Sequence, residues 1–227
     1  MLKAKPILFS TPMVQAIQDK RKTMTRRVIT LPEGMTGKPV GEAGNSNNPL
    51  GLMYIGGIIR SKYQPGDVLW VRETWCKLWH LDHNDQIIEG TESFYYAADG
   101  YNPTPFNHFP DADGFCGDRC CPRWRPSIFM PRDAARIFLQ VTDVKTERLQ
   151  DISEFDAKRE GCMPCIGLSA CGGGCESCEA DHPIDWFHRL WDSINAARGH
   201  GWDKNEWVWA YTFKQIERPE GWPGEGK

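Results

Sequence analysis

No stretch of the 227 residues stays apolar long enough to cross a bilayer, and the N-terminal segment does not combine a charged start, a long apolar centre and a small-residue cleavage site as a secretion signal does. Both absences make a cytoplasmic protein without a membrane partner the expectation. A large excess of charge of one sign is missing too. Twenty-seven Lys and Arg stand against 30 Asp and Glu, for a net charge of −3 and a pI of about 6.1. A surface that is cationic throughout is therefore excluded, and any contact with a polyanion must come from a local patch. What the chain does have is 40% hydrophobic and 11% aromatic residues with ten Trp, more than chains without a core carry. The length suits one domain, or one domain with an insertion. Nothing in the composition bears on oligomeric state.

The local basic patch is Lys20-Arg21-Lys22-Thr23-Met24-Thr25-Arg26-Arg27. It follows Ile7-Leu8-Phe9, which reads as a short strand, and a predicted helix capped by Thr11 with Pro12 as its first residue and ending near Asp19 or Lys20. Side chains three apart, such as Lys22 and Thr25, lie together only if the backbone bends, because an extended strand sends them to opposite faces. A lysine held against a threonine hydroxyl in a partly dry pocket loses proton affinity and can act as its general base.

Farther along, the Gly-, Pro-, Asn- and Ser-rich residues from Leu31 to about Asn48 read as a surface loop. Val68–Val71 after Pro65-Gly66-Asp67 has the residue types of a buried strand. Arg72 and Glu73 close it, either as a structural ion pair or as part of a site. Residues 81–121 look like an excursion around one aromatic strand, Phe94-Tyr95-Tyr96. Two prolines make Trp124–Pro131 an extended wall, and Ala135–Val144 is a half-buried strand. Ser153 caps a helix stopped by Gly161, with Glu160 in the last turn, where a carboxylate opposes the helix dipole at a cost of about 0.3–1 kcal/mol. Asp185–Ala196 is a second helix, whose Phe187, Leu190, Trp191 and Ile194 read as core. The alternation of Trp207, Trp209, Tyr211 and Phe213 marks a closing strand, and residues 217–227 form a mobile tail.

Nine cysteines without a secretion signal point to thiols or metal rather than disulfides. Cys162-x-x-Cys165 and Cys175-x-x-Cys178, with nine residues between them, are paired knuckles of the kind that hold zinc with four thiolates. Four thiolates leave no open position, so the expected zinc is structural and staples an insertion at 162–182. Cys171 can replace one ligand, and Cys116, Cys120 and Cys121 can join this site or complete a second.

Five segments in order carry a family resemblance. They are Arg21-Lys22-Thr23-x-Thr25-Arg26; Pro65-Gly66-Asp67 through Leu69-Trp70-Val71-Arg72-Glu73-Thr74-Trp75; Trp124-x-Pro126-Ser127-Ile128; Leu149-Gln150-Asp151-Ile152 through Glu160-Gly161; and Leu190-Trp191-x-Ser193-Ile194-Asn195. Together they resemble the ASCH-domain family in its phage and prophage branch, over most of residues 5–216 outside the Cys-bearing stretches. The resemblance implies an α+β fold: a single PUA-like β-barrel with flanking helices, and a cavity made beneath its mouth by the first helix and its neighbours. The small bacterial ASCH enzymes that deacylate N-acetylcytidine are more distantly similar. Their roles fall on Lys22 as proton acceptor, Thr25 as nucleophile and Glu160 as proton donor, with Arg26 or backbone amides available to an oxyanion. Arg26, Arg27, Arg72, Glu73 and Trp124 are the candidate contacts to a nucleobase or nucleic acid. Two positions depart from the family: Lys20 stands where relatives often end the first helix with Gly, and Phe129 where His often follows Ser-Ile. A left-handed backbone at Lys20 would cost about 1–2 kcal/mol. Three functions are expected in turn: binding of nucleic acid or a modified nucleobase, amidohydrolysis of an N-acylated cytidine, and a phage accessory role through protein contacts alone.

Overall fold

The computed structural model describes residues 4–30, 41–43, 51–54, 57–78, 84, 88, 93–100, 124–162 and 182–223. These residues hold the strands β1 (Lys5–Leu8), β2 (Met24–Val28), β3 (Gly41–Ala43), β4 (Gly51–Tyr54), β5 (Gly57–Arg60), β6 (Val68–Arg72), β7 (Trp75–Leu78), β8 (Ser93–Tyr96), β9 (Phe138–Arg148) and β10 (Trp207–Ile216). They also hold the helices α1 (Thr11–Gln18), α2 (Glu154–Arg159) and α3 (Pro183–Asn195).

Five strands form the main sheet in the order β1-β6-β9-β10-β2. β1 runs parallel to β6, with Ile7 opposite Val71, and the other pairs are antiparallel. The class is α+β around a mixed sheet. The expected closed barrel is corrected to an open one, since no ladder joins β1 to β2 among the described residues. β1 has only four residues, pairs with β6, and passes into α1 after Ser10, too soon to run alongside β2. The two edges nevertheless approach. Arg27 Nη2 donates to the Leu8 carbonyl at 2.8 Å, and its guanidinium lies 5.5 Å from the centre of the Phe9 ring.

Strand alternation sorts the core by face. Leu69 and Val71 of β6, Leu139 and Val141 of β9, and Trp209, Tyr211 and Phe213 of β10 join Val14 and Ile17 of α1 on one side. On the other, Val208 meets Leu149, Ala157, Phe187 and Trp191, while Trp70 and Phe138 pack with Trp75, Met130 and Trp222. Both faces of the sheet are thus covered, which explains why its central strands read as continuous apolar runs.

Several expectations shift. α1 is capped at Ser10, so Thr11 is its first residue. The stretch read as loop contributes β3, which pairs with β4, and β4 pairs with β5, making a separate three-stranded sheet. The chain extends past Glu73 into β7, which pairs with β8. Trp124–Pro131 is less extended than expected: Arg125 bridges Trp75, and Ser127–Phe129 is a 3₁₀ turn, a conformation that a preceding proline tolerates. In the C-terminal segment expected to be mobile, Trp222 is buried against Phe138, at 4.9 Å between ring centres, and donates from Nε1 to the Arg132 carbonyl at 2.9 Å.

Candidate functional site

Two chain reversals build the site. At the end of α1, Lys20 adopts φ 60°, the left-handed conformation that glycine takes more cheaply. This turns the backbone so that the Arg21 and Lys22 amides both donate to the Ala16 carbonyl, at 2.9 and 2.8 Å. Lys22 is thereby folded back over α1 before β2 begins. α2 supplies the second reversal. Its cap Ser153 accepts from the Asp156 amide at 3.1 Å, the helix ends after one and a half turns, and Glu160 and Gly161 (φ 109°) swing back. A β-bridge between Lys22 and Glu160, with the Thr23 amide donating to the Arg159 carbonyl at 2.8 Å, joins the two reversals. A Cβ on Gly161 would stand 2.9 Å from the Cβ of Ala16, so the approach requires glycine.

The side chains meeting there form a buried ionic cluster. Lys22 Nζ donates to Glu160 Oε2 at 2.6 Å and to the Glu160 carbonyl at 2.9 Å, with the two side chains 0% and 2% exposed. Arg26 Nη1 reaches Glu160 Oε1 at 3.1 Å, its Nε reaches Glu147 at 2.7 Å, and its Nη2 lies 3.4 Å from Asp156. Burial pushes the Lys22 ammonium below the usual lysine range, against the opposing pull of Glu160. Glu160 has both oxygens engaged, one by each cation.

Cross-strand partners fix which way β2 points its side chains. Thr25 and Arg27 face Tyr211 and Trp209 on the α1 side of the sheet, while Arg26 and Val28 face Ala210 and Val208 on the α3 side. Lys22 and Thr25 are both buried, and the backbone between them does bend, but Lys22 is hydrogen-bonded to Glu160 and not to Thr25. Thr25 instead lines a cleft of about 310 Å³ along the edge of β2 that no strand pairs with among the described residues. Its walls are α1 at Met13, Arg26, Arg27 and Glu160, and an apolar face of α3 made by Phe187, Leu190, Trp191 and Ile194. Asn195, Arg198 and His200 complete it. Among these, His200 Nδ1 lies 2.8 Å from Glu206 Oε2, and the His200 carbonyl accepts from Trp191 Nε1 at 2.7 Å.

No family model and no curated protein matches the chain. Among solved structures, it is similar to a crystal structure of a protein from Enterococcus faecalis V583 assigned to the family model DUF984. The identity is 10%, with 97% of this chain and 84% of that one covered, at a TM-score of 0.41.

The remaining candidates fall elsewhere. Arg26 lines the cleft, but three carboxylates engage its guanidinium, so it anchors the wall. Arg72 and Glu73 do not pair, because neighbours on a strand point to opposite faces. Arg72 donates to the Ile128 and Met130 carbonyls. Glu73 forms a bidentate pair with Arg136, at 3.0 and 2.9 Å, and Arg136 also holds Asp99 at 2.7 Å. Burial raises the proton affinity of Glu73 against the pull of Arg136. Glu73 is 1% exposed and, like the half-buried Trp124, lines no part of this cleft. Of the knuckle cysteines, Cys162 is described and half-buried, while Cys165, Cys175 and Cys178 lie outside the described residues, as do Cys116, Cys120, Cys121 and Cys171. Among the described residues no group of three or more His, Cys, Asp or Glu could hold a metal.

Sequence reasoning passed over the α3 wall, because it assigned the whole apolar stripe of that helix to the core. The stripe is wide enough to do both. Phe187 and Trp191 are buried, and Leu190 and Ile194 are half-buried at its flank.

Proposed function

We propose that the chain is a PUA-like domain of the ASCH type whose cleft takes a single nucleobase, free as a nucleoside or flipped out of a strand. The observation that carries this reading is the composition of the cleft. A wall of Phe187, Leu190, Trp191 and Ile194 lines a space of about 310 Å³ together with Thr25, Asn195 and the outer edge of β2. A flat heteroaromatic ring needs this combination: apolar contact on its face and a few polar groups at its edge. By ladder alternation, the amides of Arg26 and Val28 point away from β10 at that edge. Support for the family also comes from the position of the cleft beside the first helix, where the resemblance puts the ligand cavity. Trp191 supplies the test. Titration with cytidine and N-acetylcytidine quenches its fluorescence in the wild type, and Leu190→Ala and Asn195→Ala each weaken binding by about tenfold. Absence of any saturable binding of nucleosides or oligonucleotides overturns the reading.

A second reading, amidohydrolysis of an N-acylated cytidine, is favoured by one specific feature: a fully buried Lys22 of lowered proton affinity, held 2.6 Å from Glu160 and three residues before Thr25. In this reaction Lys22, as the free amine, takes the Thr25 hydroxyl proton while Oγ1 attacks the acyl carbon. Lys22 passes that proton to Glu160, the C–N bond breaks as Glu160 gives it to the departing cytosine amine, and water hydrolyses the acyl ester on Thr25. A rotation of Lys22 Nζ from Glu160 toward Thr25 is required first. Lys22→Ala and Thr25→Ala each lower N-acetylcytidine turnover by about 10²-fold or more. Turnover in the wild type rises with pH through the lowered Lys22 value. A wild type that binds but never turns over leaves the domain a reader rather than an enzyme.

Zinc on Cys162, Cys165, Cys175 and Cys178 is proposed as a structural staple, supported by the two Cys-x-x-Cys spacings. Protein purified without added metal then carries about one equivalent of zinc; a content far below that refutes the staple.

A further inference from the structure

A second cleft of about 360 Å³ lies directly against the first, on the other side of β2, and shares Arg27, Val28 and Thr30 with it. Its floor is aromatic and rigid. Tyr63 and Tyr211 meet edge-on at 5.2 Å between ring centres, and their hydroxyls are fixed on the Pro6 carbonyl and Ser61 Oγ, at 2.7 and 2.8 Å. The rim is cationic: Arg27, Arg60 and Lys62 line it, and among the described residues no carboxylate does.

The state of these cations separates them from the others near the site. Lys22 and Arg26 are neutralised by Glu160, Glu147 and Asp156, and Lys5 by Asp67. Among the described residues Arg27, Arg60, Lys62 and Arg198 have no carboxylate partner. Arg198 lines the first cleft, Arg27 both, and Arg60 and Lys62 the second. A line of uncompensated positive charge therefore leaves the base cleft, crosses β2 at Arg27 and enters the neighbouring cleft, on a chain whose net charge is −3.

We infer that the second cleft binds the sugar-phosphate backbone next to the base held in the first, which makes the ligand a single-stranded polynucleotide rather than a free nucleoside. The inference rests on the nucleobase reading of the first cleft and adds to it what the base is attached to. One basic cluster in the sequence gave no sign of such a track, since Arg60 and Lys62 lie far along the chain from residues 20–27 and join them only in the fold.

The test compares cytidine with labelled single-stranded hexanucleotides, RNA and DNA, between 50 and 200 mM salt, for the wild type and an R60A/K62A double variant. Both substituted side chains are exposed, so the fold is expected to survive, and a thermal melt checks this. Each phosphate contact contributes about 0.7 to the slope of log affinity against log salt for single strands. The wild type binds a hexamer at least about tenfold more tightly than cytidine at 50 mM salt. The double variant has a slope shallower by about 1.4, equivalent to about a sevenfold smaller loss over that salt range, with cytidine affinity unchanged within twofold. Preference for RNA or for DNA upholds the inference and names the source of the strand. Cytidine binding without a hexamer advantage, an unchanged slope in the variant, or equally tight binding of heparin overturns it while leaving the base cleft intact. Binding of neither ligand removes both.

Discussion

Gly161 and Lys20 are two single residues on which the geometry of the ionic cluster depends, and they carry opposite predictions. Gly161 combines a positive φ with a contact to Ala16 that no Cβ can share. Gly161→Ala is expected to cost about 1–3 kcal/mol in urea unfolding and to loosen the Lys22–Glu160 bridge. Lys20, also at positive φ but exposed, adopts a conformation that glycine takes without strain. Lys20→Gly is therefore expected to stabilise the fold by about 1 kcal/mol. Lys22 gives a pH-dependent prediction. Its proton affinity is lowered on folding, so between its folded value and 10.5 the unfolded chain binds more protons, and stability rises with pH across that window. Lys22→Met abolishes this rise and, by leaving Glu160 with Arg26 alone, costs about 3–5 kcal/mol. Unfolding curves of both proteins at pH 7 and pH 9.5 check the sign.

At the scale of elements, α3 divides its apolar stripe between two jobs. Trp191 fills the space between α3 and the sheet, whereas Leu190 flanks the cleft half-exposed. Trp191→Ala is expected to lose about 3–5 kcal/mol of stability. Leu190→Ala is expected to lose about 1 kcal/mol yet to weaken ligand binding more than a surface control. If the two substitutions destabilise equally, the stripe is all core and the cleft wall is misassigned. Helix existence was legible in the sequence from Phe187, Trp191 and Ile194 at helical spacing, because burial and periodicity share a cause. The division of that stripe was not, since an apolar residue facing a cleft has the same chemistry as one facing a core. Strands followed the same rule. β6, β9 and β10 announce themselves by β-branched and aromatic runs, whereas β3 (Gly41–Ala43) is a three-residue strand without an apolar pattern. A bend after α1 was readable as what Lys22 and Thr25 need in order to lie together. Which partner Lys22 would hold was not, because that depends on a contact 138 residues away in sequence.

At the scale of the whole molecule, the C-terminal segment closes one end of the core. Trp222 covers Phe138 and Trp70, and Arg132 stacks on its outer face at 4.1 Å. Its Pro- and Gly-rich surroundings concealed this in the sequence, since turn residues say that a segment is irregular and not whether it is docked. Trp222→Ala is expected to destabilise the protein by about 3–5 kcal/mol, and a melting temperature unchanged by it would show the segment to be dispensable. The open sheet has a consequence of another kind. Because β2 is paired on one side only among the described residues, protection from hydrogen exchange should alternate along it: slow at Thr25 and Arg27, whose amides face β10, and fast at Arg26 and Val28, whose amides face away from it. A ligand occupying the cleft would turn that stripe of fast and slow amides into a uniformly slow one.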